Sequence, residues 1–325
     1  MNLVVRPAVD ADLPAMRHLG ASSFVADPIE REALVDLLAG RPEQLPQLRL
    51  VAVAPAGPAF VGPALDWQAS AGKAPEGRVI GFVIGCVRAG IGYVDGIAVE
   101  ARHRRQGVGR RLLEILESHL ATAGAQSLRI GGNSWFYAWP GVDLAYAAAL
   151  GLPERGGYRR CGTIQNMSLS LRDWVPSSSD AVLDDPATTR VRRAEPADAG
   201  PLDAFVAQHF SPAWRREASL ALDRPVPTAF VAVRDERLVG FACHGVYRSD
   251  WFGPLGTDPA QRSGGIGEAL LRRCLDDLAA AGLEQAEISW IGPIGFYTRT
   301  VGARCDRQFA LFEKELDVHL GGLAP

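Results

Sequence analysis

Two hydrophobic periods alternate along this chain. Leu48–Ala54, Arg78–Arg88 and Tyr93–Val99 are apolar, β-branched stretches, and they predict strands. The next segment follows a helical rule. Leu112, Leu113, Leu116 and Leu120 recur at helical spacing, and Gly124 closes the run. Leu128–Ile130 then opens another strand. The same order returns later. Phe230–Val233 and Leu238–Val246 predict strands, and Leu270, Leu271, Cys274, Leu275 and Leu278 predict a helix that Gly282 ends. Ala286–Ile288 begins the strand after it. An early helix, strands, a helix and a further strand make each half a mixed α/β unit.

The chain is therefore a tandem repeat with three landmarks in one order. Val5-Arg6-Pro7-Ala8-Val9-Asp10-Ala11-Asp12 recurs as Val191-Arg192-Arg193-Ala194-Glu195-Pro196-Ala197-Asp198. Arg104-Arg105-Gln106-Gly107-Val108-Gly109 recurs as Arg262-Ser263-Gly264-Gly265-Ile266-Gly267. The intervals Gly109 to Gly124 and Gly267 to Gly282 are both 15 residues. The offset between copies is 186 residues at the first landmark and 158 at the second, so the first half carries 28 extra residues. The Gly/Pro/Ala-rich stretch at about 55–77 accounts for them as a long loop. The polar, breaker-rich segment at 176–190 reads as a linker. The expected domains are residues 1–175 and 191–325.

Composition narrows the function classes. The 325 residues include 47% hydrophobic and 22% charged residues, with a net charge of -3. There is no overall basic surplus of the kind duplex binding uses. No run of 18 apolar residues predicts a membrane span, and the start of the chain does not read as a signal peptide. Five scattered cysteines without a CxxC pair suit reduced core thiols in a cytoplasmic protein and do not suit zinc. No metal, nucleic-acid or membrane partner is expected. Oligomeric state is not legible.

The chemistry gathers at the second landmark, where a strand runs through arginines into Gly-x-Gly and a helix. Glycines let the backbone turn tightly and approach a ligand. A helix start offers unpaired N–H groups and a partial positive charge, which together favour a phosphate. Arg104, Arg105 and Arg110 add charge in the first half. In the second, Arg262 adds charge and Glu268 offsets it. A dinucleotide fingerprint would need a third glycine where Leu112 and Leu270 stand, and no Gly-Lys-Ser/Thr P-loop occurs.

Arg104-x-x-Gly107-x-Gly109 and Arg262-x-x-Gly265-x-Gly267 resemble the acyl-CoA motif of the GCN5-related N-acetyltransferases. Gly96-Ile97-Ala98-Val99-Glu100 resembles that family's fourth strand, and Val5-Arg6-Pro7-Ala8 its first. Phe296-Tyr297-Thr298-Arg299-Thr300-Val301-Gly302 resembles its Phe-Tyr-x-x-x-Gly segment, with Val301 as an extra residue. The resemblance spans nearly the whole chain as two copies. It implies two tandem GNAT-like domains with acetyl-CoA as co-substrate. The amine acceptor would be a small molecule, a protein N-terminus or a lysine. The implied acyl-CoA positions are Ile97, Val99, Arg104, Arg105, Gln106, Gly107, Val108, Gly109 and Arg110. Their counterparts are Leu255, Thr257, Arg262, Ser263, Gly264, Gly265, Ile266 and Gly267.

Acetyl transfer to an amine requires a neutral nitrogen, a stabilised oxyanion and a proton for the departing sulfur. The resemblance implies a backbone N–H on the fourth strand for the oxyanion and a tyrosine for the sulfur. Tyr297 matches the tyrosine, although a core tyrosine with a local partner would read the same way. In the first half Pro153 stands at that place. Tyr137 or Tyr146, beside the aromatic stretch Trp135–Asp143, is the available substitute. Asp95 is the base candidate in the first half, and Asp250 and His244 are the candidates in the second. Each reads equally as a satisfied polar residue. The second half is the expected seat of chemistry, with one copy degenerate. The competing reading is a non-catalytic acyl-CoA-binding or structural module.

Overall fold

The computed structural model describes residues 3–27, 47–55, 77–135, 138–176, 189–262 and 264–316. Apart from their edges, the insertion expected at 55–77 and the linker expected at 176–190 lie outside the described residues. The first half of the sequence holds β1 (Val4–Pro7), α1 (Leu13–Ser23), β2 (Gln47–Pro55), β3 (Gly77–Arg88) and β4 (Ile91–Val99). It continues with α2 (Val108–Thr122), β5 (Ser127–Ile130), β6 (Val142–Asp143), α3 (Ala147–Arg155) and β7 (Arg159–Ser170). The second half holds β8 (Thr189–Arg193), α4 (Ala199–His209), α5 (Pro212–Leu222), β9 (Ala229–Arg234) and β10 (Arg237–His244). It ends with β11 (Trp251–Thr257), α6 (Ile266–Ala280), β12 (Gln285–Ile288), α7 (Ile294–Val301) and β13 (Arg304–Glu315). The strand expected to reach Val246 stops at His244, because Gly245 takes a left-handed φ of 62° and turns the chain.

Two compact units result, and their division is not the linear one expected. The first holds residues 1–133, 137–163 and those from 309 onward; the second holds 134–136 and 164–308. In the first unit β1 to β4 pair antiparallel in sequence order, and β5 joins β4 parallel. Its last strand is the end of β13, with Phe312 opposite Ile130. In the second unit β8 to β11 pair antiparallel in order, and β12 joins β11 parallel. Its last strand is the end of β7, with Met167 opposite Ile288. Each unit thus takes its final strand from the other half of the sequence. Strand pairing, which satisfies the backbone N–H and C=O groups of β5 and β12, decides this division, and a boundary in the 176–190 linker does not capture it.

The predicted helix faces form the cores. Leu112, Leu113, Leu116 and Leu120 of α2 pack on Leu50, Ile80, Val94 and Leu128 in the first unit. Leu270, Leu271, Cys274, Leu275 and Leu278 of α6 pack on Phe230, Val239, Phe252 and Ile288 in the second. Each such leucine contributes about 1.5–3 kcal/mol by burial, enough to fix α2 and α6 on their sheets. A second cluster in the second unit joins α4 and α5 to Val231, Phe241 and Cys243. Among the described residues no helix is long and apolar enough to cross a membrane.

Candidate active site

In the first unit Gly107 is the N-cap of α2, with a left-handed φ of 85°. Arg105 before it is left-handed too, at 61°. The chain therefore folds back just ahead of the helix and leaves the first-turn N–H groups without helical carbonyls. No atom lies within 4 Å of where a Gly107 side chain would begin, and residues 104–107 are exposed. Arg104 braces the turn by donating from Nε to the Val99 carbonyl at 2.8 Å, and Gln106 donates to the Arg102 carbonyl at 2.8 Å. Arg105 and Arg110 stay exposed beside the mouth. Val108 is buried in the core, and Gly109 keeps α2 close to Val99 and Leu152.

The second unit repeats this mouth. Gly265 caps α6 with φ at 76° and open space where a side chain would stand. Ile266 is buried, Gly264 is partly buried and Arg262 is exposed, while Ser263 lies outside the described residues. The Cβ position of Gly267 is 3.6 Å from the Phe296 ring and 3.9 Å from Thr257. Glu268 is occupied by Arg272 at 2.9 Å. Its charge is therefore partly compensated within α6.

Each mouth adjoins a place where two parallel strands part. β4 and β5 pair from Ile91–Ser127 to Val94–Ile130; β5 then ends while β4 runs on through Ile97 and Val99. A register step between Ile84 and Gly85 makes Asp95 the bulged residue of β4. β11 and β12 pair only at Trp251–Glu287 and Phe252–Ile288, and β11 continues through Leu255 and Thr257. A step between Ala242 and His244 leaves Gly253 and Pro254 opposite Cys243. The resulting wedge offers backbone N–H and C=O groups on one side, beside a cationic helix mouth.

The tyrosine and its substitutes divide cleanly. Tyr297 lies in α7, 7% exposed, with Phe252 and Phe296 edge-on at 6.1 and 5.0 Å between ring centroids. Burial pushes its phenol up to about 12. In the first unit the matching helix is α3, with Leu152 facing Gly109 as Phe296 faces Gly267, and Pro153 buried inside the helix. Tyr146 donates to Asp27 at 3.0 Å, and Trp139 donates to the other Asp27 oxygen at 2.9 Å. Tyr146 is thus held to the segment after α1. Tyr137 lies outside the described residues.

The proposed bases are engaged elsewhere. Asp95 accepts from the buried Asn133 side chain at 2.8 Å. Asp250 is buried, and burial pushes its carboxyl upward against the opposing pull of Arg248, which lies within 3.0 Å. Arg248 also reaches Glu287 at 3.3 Å, and Glu287 takes Arg307 at 2.9 Å and Asn166 at 2.5 Å. His244 meets Asp277 at 3.0 Å, where Arg193 also binds at 2.6 Å. Asp277 is 12 residues beyond Gly265, about 18 Å along the helix at 1.5 Å per residue. The structure therefore ties His244 to the far end of α6, away from the glycine mouth. Sequence reasoning missed Asn133, Asp27 and the buried Glu217 of α5.

Two glycine-capped helix mouths, each beside a splayed parallel strand pair, define an acyltransferase fold. The acetyltransferase (GNAT) family matches residues 51–134 and 197–302, and the chain belongs to that family. A mycothiol acetyltransferase of Clavibacter michiganensis subsp. michiganensis (strain NCPPB 382) is 29% identical over 229 residues, 66% of this chain and 68% of that protein. Among solved structures, a GCN5-related N-acetyltransferase from Sphaerobacter thermophilus aligns with a TM-score of 0.68 and 21% identity, over 96% of this chain and 95% of the other. A tandem GNAT protein from the clavulanic acid biosynthesis pathway aligns at 0.65 and 15% over the whole of both chains. The glucosamine N-acetyltransferase region of a fungal multi-domain GH3 β-N-acetylglucosaminidase aligns at 0.74 and 20%, over 96% of this chain; this chain spans 38% of that protein. Among the described residues no cluster of His, Cys, Asp and Glu could hold a metal.

Proposed function

We propose that this protein transfers acetyl from acetyl-CoA to the primary amine of a small molecule or peptide, in the cytoplasm, with the chemistry in the second unit. The carrying observation is the packing of α7 beside the α6 mouth, where Phe296 abuts Gly267 and Tyr297 follows it in the helix. The diphosphate of coenzyme A suits the first-turn N–H groups after Gly265, which have no helical carbonyl to bind, and the thioester arm suits the wedge beyond Phe252. A backbone N–H of β11 past the register step meets the oxyanion. Burial keeps Tyr297 protonated, so its phenol has a proton to give as the carbon–sulfur bond breaks. A thiol ordinarily titrates near 8.5, but a thiolate formed in the same apolar surroundings is made more basic by the same loss of solvent.

The first unit supports a second reading of its own: an acyl-CoA-binding half without transfer chemistry. Its mouth is richer in arginine, yet Pro153 fills the tyrosine position and Tyr146 is engaged by Asp27. The test is thiol release from acetyl-CoA against an amino sugar, an aliphatic diamine and a peptide α-amine. At least one should raise release above the acceptor-free control, and Tyr297→Phe should lower that rate 10- to 100-fold with acetyl-CoA binding unchanged. Release that never exceeds the control would remove the enzyme reading.

A further inference from the structure

Several acidic groups around β11 have cationic partners. Asp250 and Glu287 share Arg248 and Arg307, and Asp277 holds His244 and Arg193. Glu217 stands in the middle of α5 and is only 6% exposed. Among the described residues no hydrogen bond or ion pair engages its carboxylate. Its oxygens are not among the fully enclosed unpaired atoms and so keep contact with solvent, yet a glutamate this deeply placed without a cationic partner is uncommon and calls for a reason.

The position of Glu217 supplies that reason. α5 packs on β9, β10 and β11. Trp214, one turn earlier in the helix, meets Phe241 of β10 edge to face with centroids 6.3 Å apart, and Phe241 pairs with Gly256 of β11. Glu217 follows one turn further on, and Ala218 and Ala221 of the same buried stripe cluster with Cys243, two residues along β10 from Phe241. Cys243 lies opposite Gly253 and Pro254, the register step at which β11 leaves β12. Open space surrounds the place where a Gly253 side chain would begin. At the matching bulge of the first unit stands Asp95, tied to Asn133. The second unit therefore has room at the wedge and an uncommitted carboxylate on the helix above it.

We infer that Glu217 receives the acceptor amine in the second unit: it docks the incoming ammonium and takes the proton that must leave the nitrogen before attack. The inference rests on the acetyl-transfer reading above and assigns its missing base. The ammonium gives one proton to Glu217, and the neutral nitrogen adds to the thioester carbonyl. The carbon–sulfur bond breaks with its electron pair on sulfur, which is protonated through Tyr297. The nitrogen loses a second proton to water, from which the tyrosinate recovers its own, and Glu217 releases its proton to solvent. The sum is ammonium plus thioester to amide, thiol and one proton.

Among the described residues, Cys243 from β10 and Arg216 from α5 itself are the titratable and charged groups whose charge acts on or responds to Glu217. The facing parts of α4 and β9 present Leu202, Phe205, Val206 and Val231. Burial pushes Glu217 up to about 8. The transfer rate should therefore rise with pH through about 8 and level off above it as the carboxyl ionises.

Glu217→Gln keeps the shape and removes the charge. We expect it to bind acetyl-CoA as the wild type does, to melt no lower than the wild type, and to lose at least 100-fold in transfer rate together with the pH limb. Transfer within twofold of wild type, or a retained limb, overturns the assignment while leaving the acetyl-transfer reading intact. A wild type that acetylates no amine overturns both. If Glu217→Gln fails to fold, Glu217→Asp decides. A base role predicts a partial rate loss with the pH limb retained, whereas a packing role predicts an unchanged rate.

Discussion

The two units share a scaffold and differ at the places where chemistry would occur. Both open with the same clamp. Arg6 binds Asp12 through two nitrogens, at 2.6 and 2.9 Å, and Arg192 binds Asp198 at 2.6 and 2.8 Å. Each aspartate also accepts a backbone N–H three residues earlier, at 2.9 Å from Val9 and 2.7 Å from Glu195. Both units cap a 15-residue helix with a left-handed glycine. The divergence lies beside the wedge, where Asp95 and Pro153 in one unit stand against Gly253 and Tyr297 in the other. The fold therefore constrains the clamp and the mouth, while the wedge is free to be filled in one copy and equipped in the other.

The largest expected effect tests whether the floor of the second wedge is as differently built as its walls. Glu287 is buried and shared by Arg248, Arg307 and Asn166. Its counterpart on β5 is Arg129, 43% exposed and 4.0 Å from Glu313. Glu287→Ala removes the acceptor that the buried Arg248 and the partly buried Arg307 share, and should cost about 3–5 kcal/mol. Arg129→Ala should cost less than about 1 kcal/mol, as surface pairs do. Urea unfolding of both variants measures the difference. Equal losses would mean that the buried network contributes no more than the surface pair.

The next effect separates the two mouths. Gly265→Val and Gly107→Val each place a β-branched residue at a left-handed φ, which costs about 1–2 kcal/mol, and each puts methyl groups where a phosphate would approach. Acetyl-CoA affinity at the substituted mouth should fall at least tenfold. Gly265→Val should also abolish most transfer, whereas Gly107→Val should leave the rate within about threefold. Calorimetric titration with parallel thiol release reads both. Loss of transfer through Gly107→Val alone would move the chemistry to the first unit.

Much of this contrast is legible along the chain, and the remainder has a physical reason for being hidden. The glycine mouths declare themselves because an N-cap, a left-handed turn and an apolar helix face are all local. Tyr297 against Pro153 is legible for the same reason. The exchange of β7 and β13 is not, since alternation in Arg159–Ser170 states that a strand forms and is silent about its partner. His244 and Asp250 look available as bases until packing brings Asp277 and Arg248 to them. Glu217 sits in Arg215-Arg216-Glu217 and reads as part of a solvated face. The available signal was its spacing with Ala213 and Ala221, four residues to either side on the buried stripe of α5.

The smallest expected effect probes what the units have in common. The Arg6 guanidinium and the Val9 N–H hold Asp12 below the usual carboxylate range against the upward push of burial. The Arg192 guanidinium, aided by the Glu195 N–H, does the same for Asp198. A carboxyl whose folded pKa is depressed contributes stability above its unfolded value, near 3.9, and loses it as pH falls through the folded one. Asp12→Asn and Asp198→Asn should therefore each cost about 1.5–3 kcal/mol at pH 7, the range of hydrogen bonds to charged groups. Both deficits should shrink together below about pH 4, as the wild-type carboxylates protonate. Thermal melts of the three proteins from pH 3 to 7 follow this directly. Unequal deficits would show that the clamp, although repeated in sequence and geometry, carries different weight in the two units. A deficit in either variant that persists unchanged at pH 3 would assign that aspartate's contribution to shape and not to its charge.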